Sequence, residues 1–154
     1  MLQLSIFIKL LSTIQLEDAY NAHEKKSKMT ANERRSLKID NISCITTKDY
    51  LVKGKTILKN NTGSIESVLS IVDDHATFEY LISYDSKGNP IDCILIGQIS
   101  YYAGDRTSSM IEGDKIFSKS VWSELEESGI VYTNYQITPQ LTFKELKTWE
   151  EKDH

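Results

Sequence analysis

The stretch that most constrains the fold is residues 76–97, ATFEYLISYDSKGNPIDCILIG. In the first half, every second residue is aromatic or isoleucine, at Phe78, Tyr80, Ile82 and Tyr84. Successive side chains of a strand point to opposite faces, so these four lie on one face. Residues 86–89 break the run with Gly88 and Asn89, which tolerate the backbone angles of a turn. Residues 91–96 are nearly all apolar, which is typical of a strand buried on both faces. The stretch predicts a β-hairpin at the centre of a sheet.

The segments that flank this hairpin predict further antiparallel strands. Residues 65–72, IESVLSIV, fit either a helix stripe or a strand, and a strand is favoured because residues 73–75 then make a tight connection into the hairpin. Five glycines of the second half stand at turn-like spacing, as in a meander, and they are Gly88, Gly97, Gly104, Gly113 and Gly129. Later strands are expected at residues 110–111, 115–122, 130–137 and 141–146. Residues 105–109 are expected as a polar loop and residues 123–128 as an acidic connection, with Trp149 over the end of the last strand and a frayed polar tail.

The N-terminal third reads differently. Residues 1–14, MLQLSIFIKLLSTI, are apolar nearly all round and predict a buried helix, because the run is too short to span a membrane and is interrupted by Lys9. No small-residue cleavage pattern of a signal peptide follows it. Thr30 and Glu33 have the spacing of a capping box, which predicts a short helix from about Ala31. The fold class is therefore mainly β (α+β), an antiparallel meander sheet or sandwich with one or two N-terminal helices.

The 154 residues are enough for one domain with a sizeable core, and their charge is distributed unevenly. Residues 1–60 carry 11 Lys/Arg and 6 Asp/Glu, whereas residues 61–154 carry 7 and 16, which gives a basic, helix- and loop-rich part of net +5 and an acidic β-meander of net −9. Three explanations of this charge asymmetry are open. The two parts attract each other within one fold, both are simply solvated, or an acidic face binds a basic partner. The acidic balance speaks against nucleic-acid binding.

The two cysteines, Cys44 and Cys93, both stand among apolar residues. They are expected as small buried thiols, and one disulfide is the alternative if the protein is exported. The compartment stays open between the cytoplasm and the periplasm or cell envelope. Two cysteines without a C-x-x-C spacing exclude a thiolate zinc motif.

Few residues indicate chemistry. Asp73, Asp74 and His75 are the candidate metal ligands or acid–base groups, because carboxylates and imidazole suit a divalent ion, although polar residues are also ordinary in turns. A metal-dependent hydrolase is the least favoured hypothesis. The sequence contains no phosphate-binding glycine loop and no nucleophile elbow, so no catalytic residue and no cofactor are predicted.

The tyrosines are the one feature of the sequence that indicates a function more strongly than ordinary packing would. Packing within the sheet is their ordinary role, but tyrosine also anchors protein interfaces because it is large, rigid and amphipathic. We therefore expect a non-catalytic protein-binding module with an acidic, Tyr-rich surface for a basic partner, of which a bacterial immunity protein that blocks a toxin is one form. The predicted partner-binding residues are Tyr84, Tyr101, Tyr102, Asp105, Glu112 and Asp114.

The pattern of residues 82–92, ISYDSKGNPID, followed by Leu95, Ile96 and Gly97, resembles small, often exported β-rich proteins of Bacteroidetes-type bacteria. Residues 135–137 with residues 141–143 are similar to the terminal strand pair of those proteins. The resemblance spans roughly residues 65–146 and implies a meander sheet and a bacterial, cell-envelope origin, but no catalytic residues. The lipobox cysteine that many of them carry near the start is missing. A cell-envelope or surface protein of structural or ligand-binding type is thus the alternative function.

Overall fold

The central hairpin is confirmed. In the computed structural model, which describes residues 10–11, 28–72, 75–101 and 104–153, strand β4 (Ala76–Asp85) pairs with strand β5 (Pro90–Ser100) in antiparallel register. The turn between them is held by the carboxylate of Asp85, whose Oδ1 accepts hydrogen bonds from the backbone N–H groups of Lys87 and Asn89, both at 2.9 Å. These bonds, above all the one from Asn89, lower the pKa of Asp85.

The described residues form one antiparallel sheet in which the strands β2 to β9 follow each other in chain order. The protein is therefore mainly β and a meander, as the turn spacing predicts. The strands before the hairpin are β1 (Leu10–Leu11), β2 (Leu51–Lys59) and β3 (Gly63–Val72). Those after it are β6 (Arg106–Glu112), β7 (Lys115–Glu124), β8 (Glu127–Ile137) and β9 (Phe143–Asp153). The short strand β1 lies outside this order and pairs with β6.

The strand boundaries predicted from the sequence are wrong in the polar stretches. The expected loop 105–109 belongs mostly to β6, and the expected connection 123–128 shrinks to a two-residue turn at residues 125–126. The last strand does not end at residue 146 but continues to Asp153, so Trp149 lies within β9 rather than over its end. The reason is pairing, because β8 offers backbone partners along its whole length to a strand that buries almost none of its own side chains.

The sheet divides into two halves between β5 and β6, which share only two residue pairs, Gln98 with Thr107 and Ile99 with Arg106. The inner faces of the two halves pack on each other in one apolar cluster. Its members are Ile57, Leu58, Ile65, Leu81, Ile96, Ile111, Ile116, Ile137, Leu141 and Phe143. The two halves are also joined by hydrogen bonds, from Ser109 Oγ to the carbonyl oxygen of Ile96 (2.5 Å) and from the Phe143 N–H to Asp92 Oδ2 (2.8 Å).

The outer face of β2–β5 is covered by residues 28–50. This cover segment buries Ile39, Ile42 and Ile45 in a second apolar cluster with Tyr80, Ile82 and Tyr84 of β4. Its ends are fixed by backbone and side-chain bonds, since the Met29 N–H donates to Leu51 O (2.7 Å) and Ser70 Oγ donates to Thr47 O (2.5 Å). The apolar face that the alternation of residues 78–84 predicts is thus the face under the cover segment.

A disulfide joins Cys44 of the cover segment to Cys93 of β5, so the expectation of two free thiols is wrong. Their Cα atoms lie 6.2 Å apart, within the usual range for a disulfide. The sequence could not choose between thiols and a bond, because 49 residues separate the two cysteines and only the folded cover segment brings them together.

The capping box predicts the one α-helix of the described residues. Helix α1 (Ala31–Ser36) begins after Thr30, whose hydroxyl accepts the Glu33 N–H at 3.2 Å, while the Glu33 carboxylate accepts the Thr30 N–H at 2.8 Å. A single turn of 3-10 helix follows at Ile39–Asn41. The predicted helix over residues 1–14 lies outside the described residues, except at Leu10 and Leu11, which form a strand instead. Among the described helices, neither has the length and apolar character needed to cross a membrane.

Candidate functional site

Tyr84, one of the predicted partner-binding residues, lies in the interior. Its side chain is 3% exposed, and its hydroxyl donates a hydrogen bond of 2.7 Å to the carbonyl oxygen of Leu37 in the cover segment. Burial raises the pKa of this phenol far above its ordinary value, and the nearby charge of Glu66 raises it further. Tyr84 therefore ties the cover segment to the sheet and offers no surface to a partner.

The predicted acidic residues do not lie together. Asp105 precedes β6, whereas Glu112 is the last residue of β6 and Asp114 lies in the turn to β7. A strand of seven residues spans roughly 23 Å, so the two groups are at opposite ends of the sheet. Asp114 is engaged in the fold, because its Oδ2 accepts a hydrogen bond from Gln136 Nε2 at 3.1 Å. The end that carries Asp105 also carries the acidic side chains of the turn between β7 and β8.

At that end, the connection between β5 and β6 lies beside the connection between β3 and β4. The Tyr101 N–H donates to His75 O at 2.9 Å, and the Tyr101 side chain is 39% exposed. The backbone of Asp105 closes the connection by accepting the Ser100 N–H at 2.9 Å. Tyr101 and Asp105 thus lie in the same connection at this end of the sheet, whereas Tyr102 lies outside the described residues.

The turn between β7 and β8 adjoins Asp105. The Ser123 N–H donates to Asp105 Oδ1 at 3.4 Å, and the following residues Glu124, Glu126 and Glu127 are all exposed. We call the acidic end the set Tyr101, Asp105, Glu124, Leu125, Glu126 and Glu127. It combines four carboxylates with an exposed phenol ring and one aliphatic side chain.

Leu125 is the residue of the acidic end that sequence reasoning missed. Its side chain is fully exposed, and its backbone has a φ of 50°, in the left-handed region that bulky residues rarely adopt. A leucine held in the open at the tip of a hairpin gains nothing from burial within its own chain. The sequence does contain a signal, which is the single apolar residue within the run ELEE at residues 124–127. The interpretation of residues 123–128 as an acidic connection gives that residue no role.

The other tyrosines belong to the sheet rather than to this surface. Tyr80 is 5% exposed, and Tyr135 packs against the cluster between the two halves. Tyr132 lies on the outer face of β8, where its ring stacks on Trp149 with the centroids 5.1 Å apart. The Tyr-rich surface expected from the sequence thus narrows to Tyr101 among the described residues.

The candidate metal ligands are only partly described. Asp73 and Asp74 lie outside the described residues, and His75 is exposed at the start of β4. Within the described ranges there is no group of three or more His, Cys, Asp or Glu side chains placed to hold a metal ion. Metal binding by Asp73, Asp74 and His75 stays a prediction from the sequence.

A groove of about 300 Å³ lies beside the disulfide, between the cover segment and the start of β5. Asp92 is the acidic group among its lining residues, and both of its carboxylate oxygens already accept backbone N–H groups, from Cys93 at 2.8 Å and from Phe143 at 2.8 Å. This carboxylate joins the two halves of the sheet and is not placed for acid–base chemistry on a ligand.

Fold and surface together define a mainly-β meander protein with a disulfide-fixed cover segment and an acidic end. The chain matches no protein-family model, and neither a curated protein nor a solved structure is significantly similar to it.

Proposed function

We propose that this protein is a non-catalytic protein-binding module that holds a basic partner at its acidic end. The observation that carries the proposal is the exposed Leu125 between the carboxylates of Glu124, Glu126 and Glu127. An apolar residue ringed by charges has the layout of an interface in small form, with an apolar centre and a polar rim.

Electrostatics decides the sign of the partner. Glu124 and Glu127 stand directly opposite each other across the hairpin, and Glu126 lies in the turn between them. Like charges placed opposite each other destabilise a strand pair by roughly 0.2–1 kcal/mol. Lysine or arginine side chains of a partner would relieve this repulsion and would steer the encounter at low salt.

A bacterial immunity protein that blocks a toxin is the concrete form we favour. A toxin that acts on nucleic acid must present cations to the phosphates, and an acidic end of matching size covers such a surface without any chemistry of its own. The net charge of −9 on residues 61–154 supports a partner of this kind.

The test is affinity capture from a lysate of the native organism by paired variants. Glu124→Lys/Glu127→Lys reverses the acidic end while keeping a like-charge pair across the hairpin, so the sheet itself is little affected. The matched control, Asp49→Lys/Glu112→Lys, makes the same change in net charge at exposed positions outside this surface. We expect one stoichiometric basic partner with the wild type and the control, released by salt, and none with the reversed acidic end. Equal capture by both variants would refute the proposal.

The disulfide favours the second candidate, a cell-envelope or surface protein of structural or ligand-binding type. Disulfides persist in exported proteins and are rare in the bacterial cytoplasm. Fractionation of native cells, combined with alkylation of free thiols before lysis, tests it. Recovery from the envelope fraction with Cys44 and Cys93 protected from alkylation is expected, and a cytoplasmic protein with two alkylated thiols would exclude it.

A further inference from the structure

Strand β9 ends the sheet of the described residues and leaves one long edge open. No strand of the described chain lies on its far side. From Lys144 to Asp153 every side chain is exposed apart from the half-buried Trp149. An open edge of this length presents a row of backbone N–H and C=O groups to which another strand can add.

The pairing with β8 fixes the face on which each β9 side chain lies. Asn134 stands opposite Lys147 and Tyr135 opposite Glu145, so Leu146 is an extra residue that forms a bulge. Directly paired residues of antiparallel strands share a face. One face therefore carries Lys144, Lys147, Trp149, Glu151 and Asp153, and the other carries Glu145, Thr148, Glu150 and Lys152.

We propose that a second copy of this chain adds to the open edge, with β9 antiparallel to the β9 of the other copy and a two-fold axis at Trp149. In that register Lys147 faces Glu151 of the second copy. Beyond the bulge of Leu146, Glu145 faces Lys152 and Lys144 faces Asp153. Each of these opposite-charge pairs occurs twice by symmetry, Thr148 faces Glu150, and Trp149 faces Trp149. No like-charge pair is formed, and every pair lies on a common face of the sheet.

Neighbouring registers lack this complementarity. With the axis at Thr148, Glu145 stands opposite Glu150 of the second copy. With the axis at Glu150, that carboxylate stands opposite itself. Charges on an edge strand ordinarily disfavour pairing with other strands. Here the order of the charges disfavours the registers with the axis at Thr148 or Glu150 and favours the register with the axis at Trp149.

The centre of the edge is already ordered in a single copy. The Trp149 ring stacks on Tyr132, and Lys147 Nζ lies 4.9 Å from the Trp149 ring centroid. A rigid tryptophan at the middle of the contact is typical of residues that contribute most to binding. The arrangement is independent of the acidic end, which in the dimer would appear once at each end of the joined sheet.

The experiment measures molar mass against concentration, by sedimentation equilibrium at low salt. The wild type is expected to dimerise. Lys147→Glu and Glu151→Lys each place like charges opposite each other at two symmetric positions, which should weaken association on the order of tenfold or more. Mixing these two variants restores both pairs, so a 1:1 heterodimer should form from two chains that do not associate with themselves. The control, Lys55→Glu, makes the same charge change on an exposed position of β2, at the opposite edge of the sheet, and should dimerise as the wild type does.

Three results would overturn the inference. One is a wild type that stays monomeric at millimolar concentration. Another is self-association of the two single variants that matches the wild type. The third is a mixture that associates no better than either variant alone. Far-UV circular dichroism of each variant identifies any loss of fold, and the mixing experiment then decides on folded chains only.

Discussion

Removal of the disulfide should lower the stability of the whole domain rather than loosen only its surroundings. In the variant Cys44→Ala/Cys93→Ala the cross-link over 49 residues is lost. The chain-entropy relation for a loop of that size gives a loss of about 4 kcal/mol at 25 °C. The folded state changes little, because Ile42 and Ile45 on the same segment stay buried against the sheet.

The size of the loss translates into a clear thermal shift. A domain of about 150 residues loses roughly 2–4 °C in Tm per kcal/mol, so a fall of about 8–16 °C is expected. Guanidinium unfolding of the oxidised wild type, the wild type in reductant and the alanine variant is the assay. The reduced protein and the alanine variant should have coincident midpoints, both well below the oxidised protein.

A difference of less than about 1 kcal/mol in unfolding free energy between the oxidised protein and the alanine variant would refute this role of the disulfide, since the loop relation requires several times more. Selective proteolysis within residues 28–50 of the reduced protein, at unchanged global stability, would equally contradict it, because the bond would then act only on the cover segment.

Other substitutions test other contacts. Gly63→Ala would place a Cβ atom 1.9 Å from the Tyr84 carbonyl oxygen, so a loss of about 1–3 kcal/mol or more in chemical denaturation is expected, whereas Gly88→Ala meets no atom within 4 Å and has only the strain of its φ of +81° to accommodate. Equal losses at both sites would contradict this. Tyr84→Phe leaves the Leu37 carbonyl without its donor and should cost about 1–2 kcal/mol. Because the folded pKa of Tyr84 is raised above its ordinary value of 10, its contribution is complete below pH 10 and is lost as the pH rises further; Tyr84→Phe should flatten the fall of stability in alkaline titrations, and an unchanged slope would refute the assignment. Leu125→Gly relieves a left-handed leucine and should raise stability by about 1 kcal/mol in thermal melts, whereas Glu126→Gly should bring no gain.

Local chemistry was sufficient to predict the hairpin and the short helix. The turn residues Gly88 and Asn89 and the capping pair Thr30 and Glu33 act over four residues, so their patterns are visible without the rest of the chain. The alternation in β4 likewise separates two faces. It does not tell which face a distant segment covers, and that is why Tyr84 reads as a surface residue from the sequence and lies inside the structure.

Strand β9 shows the opposite limit. Its residues carry no apolar alternation, and their strand conformation comes from the pairing with β8, which is a property of the sheet and not of the segment. The acidic end is similar, because Asp105 and Ser123 are 18 positions apart and come into contact only when β6 and β7 pair. The charge count of the sequence predicts an acidic surface, but the location of that surface depends on the strand register.

The strict chain order of the strands has a consequence for how the protein is made. Each strand can pair with the one before it as the chain emerges, so the sheet can grow hairpin by hairpin. The inner face that begins with Ile57, however, is completed only when Phe143 arrives, 86 positions later. At roughly 5–20 residues per second the ribosome needs about 4–17 s for that length, during which part of the apolar face of β2–β5 stays uncovered. Chains that stop before β6 would carry a formed half-sheet with an uncovered inner face, and such fragments should depend on a chaperone to stay in solution.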